Sequence, residues 1–274
     1  MKITLVGYGI IGRAWSKRYA AAGHELRVWN RTPRRVPGFV KDLSRAIANA
    51  EVVHIIIADP PAIESVLPVI LANLAPGALV IQSSTISPAA SDRFQASILG
   101  IGADYAEAPF TGSKIAAEKG ENVFFLGGDR RAKARAKAAL RPLGKQFFDL
   151  GDNRRACAIK LAMNLQIASI SQALTEALNF SRTAGIADEL FFKVLEKNVA
   201  HSGVSDLKRP KLLTGDFSPQ FSVKHLHKDL RLALASAPAA SLPLTKHTAE
   251  IFTAGIRHGL GEEDFCSLIK LLEK

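Results

Sequence analysis

Lys160 and Asn164 stand four residues apart in a stretch where Ile159, Met163, Ile167, Ile170, Leu174 and Leu178 recur every three or four positions. That spacing predicts a helix with the lysine and the asparagine on one face. The apolar neighbours Ile159 and Met163 predict that this part of the helix is largely buried. Burying an ammonium is costly and lowers its pKa, which suits Lys160 to general acid chemistry at a carbonyl. A second polar group, Thr111-Gly112-Ser113, lies in the string Glu107-Ala108-Pro109-Phe110-Thr111-Gly112-Ser113-Lys114. Two hydroxyls and closely spaced backbone N–H groups suit a small carboxylate. A third, Lys228-Asp229, sits on another predicted helix with Phe221 just ahead of it.

The chain also carries a phosphate-binding pattern. Gly7-Tyr8-Gly9-Ile10-Ile11-Gly12 follows the apolar strand Ile3-Thr4-Leu5-Val6 and opens a helix running to Ala22, stopped by Gly23. Glycines at this spacing are weak alone and strong between a strand and a helix. Gly7 allows the tight turn, Gly9 lets a pyrophosphate reach the backbone, and Gly12 lets helix and strand pack closely. The helix N-terminus then offers oriented N–H groups to the phosphates. At the end of the second strand, where an NAD site usually places a carboxylate on the ribose, the sequence has Asn30-Arg31-Thr32. With no carboxylate there to repel a 2′-phosphate, Arg31 and Thr32 can bind one and Arg34 adds charge, which predicts NADP.

These residues need a scaffold, and its elements are legible. Strands are predicted at Ile3–Val6, Glu25–Trp29, Val52–Ala58, Ala78–Ser83, Asp104–Ala108, Asn122–Leu126 and Gln146–Leu150. Helices lie between them, one opened by Pro60-Pro61, where proline suits the first turn. Near-continuous apolar strands alternating with helices predict a mostly parallel sheet covered on both faces. Beyond Asp152 only helical patterns remain: Arg154–Ala184 ended by Gly185, Val223–Ala237, Pro243–His258 and Glu262–Leu272. The last opens on Glu262-Glu263-Asp264, acids that suit the positive end of a helix dipole. The expected fold is α/β: a Rossmann-like NADP-binding domain over 1–152, then an all-helical domain over 153–274, joined by a long interdomain helix.

Composition narrows the function classes. With 47% hydrophobic and 22% charged residues, the 274-residue chain reads as packed and globular, with two domains as the natural division. Its apolar runs are far shorter than the ~20 residues of a membrane span. Met1-Lys2-Ile3 leads straight into a strand, which predicts no signal or transit peptide and a cytoplasmic protein. Cys157 and Cys266 form no disulfide framework and have no metal-ligand spacing, so buried free thiols and no metal are expected. The net charge of +11 is concentrated at Arg31, Arg34 and Arg35 and along 130–145, a run without acids. That run lacks interleaved aromatics and reads as a solvated helix face capped by Asp129, so no nucleic acid is expected.

Taken in order, these strings resemble the β-hydroxyacid dehydrogenase (3-hydroxyisobutyrate dehydrogenase-like) family, and most of all its NADPH-dependent glyoxylate and succinic semialdehyde reductase branch. The resemblance spans the chain. It rests on Gly7–Gly12, Trp29-Asn30-Arg31-Thr32, Ala58-Asp59-Pro60, Ser84-Thr85, 108–114, Lys160 with Asn164, 228–234 and 259–265. It implies an NADP-dependent oxidoreductase that interconverts a small oxo-acid or semialdehyde and its hydroxy acid. Lys160 matches the family's catalytic lysine, and Asn164 the residue that orients substrate and lysine. Thr111, Gly112 and Ser113 match the loop gripping the substrate carboxylate. Thr85 matches a residue beside nicotinamide and substrate, and Phe221 and Asp229 match pocket-lining residues. Gly7, Tyr8, Gly9, Ile10, Ile11, Gly12, Asn30, Arg31, Thr32, Asp59, Thr85 and Lys228 match cofactor contacts. A homodimer or homotetramer is implied as well.

The chain departs from the family pattern at several positions. Thr111 and Phe110 stand where Ser and Val are usual, and Arg154 and Ala156 where glycines are usual. These changes point to a reshaped pocket rim, with Arg154 or Arg155 open to a second acidic group. Two alternatives use the same layout: an imine-reducing enzyme, and a non-catalytic NADP-binding assembly module. Relatives of either kind lack the lysine at the position of Lys160.

Overall fold

The computed structural model describes residues 1–273. The chain forms two compact units, Met1–Lys160 and Leu161–Lys274. The first unit runs β1 (Lys2–Val6), α1 (Ile10–Ala21), β2 (Glu25–Trp29), α2 (Leu43–Ile47), β3 (Val52–Ile55), α3 (Pro60–Asn73), β4 (Leu79–Gln82), α4 (Pro88–Gly100) and β5 (Asp104–Glu107). It continues through β6 (Phe110–Thr111), α5 (Lys114–Lys119), β7 (Asn122–Leu126), α6 (Arg130–Leu140), β8 (Gly144–Asp149) and the start of α7 (Asn153–Thr183).

Five strands form one parallel sheet in the order β2-β1-β3-β4-β5. Ile3, Leu5 and Val6 on β1, Val52, Val53 and Ile55 on β3, and Leu79, Val80 and Ile81 on β4 are all buried. Residues of both parities are therefore apolar, as a sheet packed on both faces requires. The pairing register aligns Trp29 with Val6, Val6 with Ile55, Ile55 with Gln82, and Gln82 with Glu107. The five strands thus end in one row. The segments that follow them, 7–12, 30–32, 56–59, 83–85 and 108–113, all leave from the carboxyl edge, where this class of sheet binds ligands.

The single mostly parallel sheet expected from the sequence is divided. β6, β7 and β8 make a separate three-stranded sheet, with β6 antiparallel to β7 and β8 parallel to it. β6 has only two residues, too few for a periodic signal, and it forms because Phe110 and Thr111 pair with Phe124 and Val123. Helix starts follow the sequence closely. Asp59 caps α3 by accepting from the Ala62 N–H, and Asp129 caps α6 by accepting from the Ala132 N–H. The small apolar residues Ala132, Ala136 and Ala139 bury one face of α6, while Arg130, Arg131 and Lys137 stay exposed. That matches the solvated basic face expected for 130–145.

The second unit holds the rest of α7, then α8 (Asp188–Leu195), α9 (Gly203–Thr214), α10 (Val223–Ser236) and α11 (Pro243–Arg257). Leu174, Leu178, Phe192, Val223, Leu226, Leu230, Phe252 and Phe265 belong to its core. The helix expected at 262–272 is instead two 3-10 segments, Leu260–Glu262 and Phe265–Leu271. Asp264 caps the second segment, accepting from the Cys266 N–H at 3.4 Å, and all three acids pair with lysines. Glu262 pairs with Lys224 of α10 at 2.5 Å, Glu263 with Lys270 at 2.7 Å and Asp264 with Lys208 of α9 at 2.8 Å. Three acids drawn to three different lysines take a tight local turn in place of a regular helix. Lys208 and Asp264 are fully buried, and the lysine lies 4.2 Å from the centre of the Phe265 ring. Both cysteines are free and buried, as expected.

Candidate active site

Gly7 takes φ +118°, and a Cβ there would stand 2.0 Å from the Ile56 carbonyl oxygen. A Cβ on Gly12 would stand 2.1 Å from the Gly7 carbonyl oxygen. No side chain fits at either position, so the chain can turn this tightly and α1 can pack this close only with glycine. Gly9 is different: a Cβ would meet nothing within 4 Å. Gly9 is the N-cap of α1, with no side-chain cap and no acid in the first turn. The helix start is thus open to an anion and carries the positive end of the dipole.

Asn30 ties this turn to the next loop. Its Oδ1 accepts from the Tyr8 N–H at 3.0 Å, and its Nδ2 donates to the Thr32 carbonyl at 2.8 Å. Arg31, Thr32 and Arg34 are exposed beside it. The turn, the uncapped helix start and these cations fit the phosphates of a dinucleotide. Ile10 is exposed and Ile11 half-buried, while Asp59 is partly buried and its carboxylate caps α3.

The 108–113 loop is held from three sides. Asn122 Nδ2 donates to the carbonyls of Thr111 at 3.3 Å and Gly112 at 3.0 Å, while its Oδ1 accepts from Trp15 Nε1 at 2.8 Å. Gly112 takes φ +102°, and a Cβ there would press on Ala116 at 2.7 Å. A buried chain fixes the loop's start: Ser83 Oγ donates to the Ala108 carbonyl at 2.7 Å and lies 2.9 Å from His54 Nε2. With the serine proton committed to Ala108, Nε2 carries the imidazole proton and Nδ1 accepts from Tyr19 OH at 2.9 Å. Burial pushes the His54 pKa down to about 3, so the ring stays neutral and serves as a strut. Asn122, His54 and Ser83 carry no sequence signal, because their partners lie far along the chain.

Lys160 is 8% exposed, and its Nζ lies 5.6 Å from the centre of the Phe110 ring, next to Thr111. Thr85 is half-buried, three residues past the end of β4. In the second unit, Asn164 and Asp229 are buried, and Asn164 Nδ2 donates to Asp229 Oδ2 at 2.6 Å. Asp229 Oδ1 lies 2.9 Å from Lys228 Nζ. The half-buried Phe221 packs edge-on against Phe265, with ring centres 6.1 Å apart. Its N–H points to Asp264 Oδ2 at 3.3 Å, alongside that of Gln220 at 2.9 Å. Arg154 pairs with Asp92 at 2.5 Å and Arg155 with Asp152 at 3.5 Å, so both arginines already have acidic partners within the protein.

Residues 2–151 match the family described as the NAD binding domain of 6-phosphogluconate dehydrogenase. Residues 155–272 match the one described as NAD-binding of NADP-dependent 3-hydroxyisobutyrate dehydrogenase. The chain belongs to the 3-hydroxyisobutyrate dehydrogenase-like family of NAD(P)-dependent oxidoreductases. It is 30% identical to 2-hydroxy-3-oxopropionate reductase of Escherichia coli (strain K12), over 100% of this chain and 97% of that one. Glyoxylate/succinic semialdehyde reductase 1 of Arabidopsis thaliana is 29% identical over 100% of this chain and 99% of its own. Among solved structures, Mycobacterium tuberculosis 3-hydroxyisobutyrate dehydrogenase with L-serine has a TM-score of 0.89 at 25% identity. That match covers 100% of this chain and 99% of the other. Membership accounts for the Rossmann-like first unit, the long α7 and the helical remainder. No helix among the described residues is long and apolar enough to cross a membrane.

Proposed function

We propose that this member of the family is an NADP-dependent reductase of a small carboxylate-bearing aldehyde or oxo-acid, with Lys160 as its general acid. Glyoxylate, succinic semialdehyde and 2-hydroxy-3-oxopropionate are the first substrates to consider. The observation that carries the reading is the placement of Lys160: an ammonium 8% exposed, over the Phe110 ring, at the start of the loop whose next residues are Thr111, Gly112 and Ser113.

The proposed division of labour follows the chain. Residues 1–152 hold the dinucleotide, with Gly7–Gly12 at the phosphates and Asn30, Arg31 and Thr32 at the 2′-phosphate. Residues 153–274 supply the subunit contact of a homodimer or homotetramer. Phe180, Leu190 and Val194, all exposed, give the second unit apolar surface of the kind such a contact covers.

When bound, the dinucleotide supplies the hydride in reduction and accepts it in oxidation. Thr111 Oγ and the N–H groups of Gly112 and Ser113 hold the substrate carboxylate, which leaves the carbonyl facing Lys160. Lys160 gives its proton to the carbonyl oxygen as the alcohol forms, and takes it back in the reverse direction. Asn164, its amide oriented by Asp229, is the residue that the family resemblance gives to orienting the substrate. Thr85 stands beside the nicotinamide and the substrate.

Following NADPH absorbance over a panel of oxo-acids, semialdehydes and their uncharged analogues tests this reading. Turnover confined to compounds with a carboxylate one to three carbons from the carbonyl is the expected result. A site built to pair an anion rejects ligands that lack it. Equal turnover of uncharged aldehydes contradicts the reading.

A further inference from the structure

Glu107 ends β5 and is completely buried, yet the chemistry above gives it no part. Its Oε1 accepts from Gln82 Nε2 at 2.8 Å, and its Oε2 accepts from Tyr105 OH at 2.8 Å and Ser91 Oγ at 2.5 Å. The Cys157 thiol also hydrogen-bonds to it. These partners come from β4, β5, α4 and α7, and every one of them is buried. Desolvating a carboxyl without an ion pair is costly, and a hydrophobic core of the same shape would avoid the cost. A carboxyl retained here in a full hydrogen-bond shell calls for a reason beyond stability.

The reason is visible in what its partners hold. Gln82 clasps Ser84 from both sides: its Oε1 accepts from the Ser84 N–H at 2.6 Å, and its Nε2 donates to the Ser84 carbonyl at 2.8 Å. An amide side chain can be turned either way round, and the bond to Glu107 sets which end faces which. Ser84 Oγ in turn accepts from the Ile57 N–H at 2.9 Å. Thr85 follows Ser84, and Ala58 and Asp59 follow Ile57. On the other side, Ala108 and the 109–113 loop continue directly from Glu107, and Cys157 stands three residues before Lys160 on α7.

We propose that Glu107 is a positioning residue: a single buried carboxyl that sets the mutual placement of the 57–59 and 84–85 segments, the 108–113 loop and the turn of α7 that leads to Lys160. This rests on the reading of Lys160 and Thr111–Ser113 as the reacting site. What counts is the reach and shape of the carboxyl rather than its charge. Gln at 107 keeps an oxygen for Gln82, and the Ser91 and Tyr105 hydroxyls can rotate to accept from its amide. Asp at 107 keeps the carboxyl but is one methylene too short to span Gln82, Ser91 and Cys157 together.

Glu107→Gln and Glu107→Asp are compared by single-turnover hydride transfer, NADPH affinity and thermal midpoint, with Lys160→Ala assayed alongside. The expected result is a rate within about threefold of wild type for Glu107→Gln and at least ~10-fold lower for Glu107→Asp, since misplacing reacting groups by a fraction of an ångström is costly in rate. NADPH affinity should change less than about threefold in both, because the phosphates are held at the Gly7–Gly12 turn. A Glu107→Asp enzyme that transfers hydride at the wild-type rate, with only its thermal midpoint lowered, would overturn the proposal. So would a Glu107→Gln enzyme as slow as Glu107→Asp. If Lys160→Ala itself retains the wild-type rate, the reading of the site fails, whatever the Glu107 variants do. Loss of activity in Lys160→Ala with a normal Glu107→Asp enzyme sinks the positioning proposal alone.

Discussion

Asn164 donates its side-chain amide to Asp229 across 2.6 Å, between two residues that water scarcely reaches. The bond fixes the amide's orientation, with Nδ2 toward the carboxylate and the carbonyl oxygen as the acceptor end. Asn164→Asp would set two buried carboxylates against each other, and one would have to hold a proton. Asn164→Asp is therefore expected to be less stable than Asn164→Ala at pH 8, by a few kcal/mol. The gap should close at pH 5, where the pair can share a proton. Urea unfolding at the two pH values measures this, and a gap unchanged by pH would contradict the geometry.

The cofactor preference follows from Asn30 and Arg31. Asn30 accepts from the Tyr8 N–H, a bond an aspartate could keep, and donates to the Thr32 carbonyl, a bond an aspartate would lose. Asn30→Asp should move kcat/KM toward NADH by ~10-fold or more through repulsion of the 2′-phosphate. Arg31→Ala should weaken NADPH more than NADH. Wild-type enzyme equally efficient with both dinucleotides would remove the basis for NADP.

Parts of this site were legible and parts were not, for physical reasons. Gly7 and Gly12 stand out because backbone approaches of about 2 Å exclude any side chain, and only one residue type meets that demand. Lys160 and Asn164 stand out because helical spacing places them on a common face. Asn122, Gln82 and Glu107 left no such trace. Each acts through a partner distant in sequence that the fold brings close, such as Trp15 of α1 for Asn122 or Ser91 of α4 for Glu107. The 3-10 ending at 260–271 was misread as a helix, because the lysines that capture Glu262 and Asp264 lie on other helices.

Burial raises the Glu107 carboxyl to about 7 from an ordinary 4.5, although the bonds from Ser91, Tyr105 and Gln82 pull the other way. The native state thus holds this proton more tightly than the unfolded chain does. Its contribution to stability is complete below the unfolded value and is lost as pH rises toward 7. Glu107→Gln removes the dependence. Between pH 4.5 and pH 7 wild type should lose stability relative to Glu107→Gln by at most on the order of 3 kcal/mol. Denaturant midpoints for the two proteins that run parallel across this range would contradict the assignment.

Lys160 tests the account most directly. Lys160→Met keeps an unbranched side chain of similar length against Phe110 and removes the proton donor. If Lys160 is the general acid, single-turnover hydride transfer should fall by roughly 10²–10⁴-fold, with little change in NADPH affinity. A lysine with only a structural part would leave activity per folded molecule near wild type when removed. The deciding measurement is single-turnover hydride transfer on folded, NADPH-loaded Lys160→Met. The account predicts a collapse in rate in the folded enzyme, and a wild-type rate would contradict it.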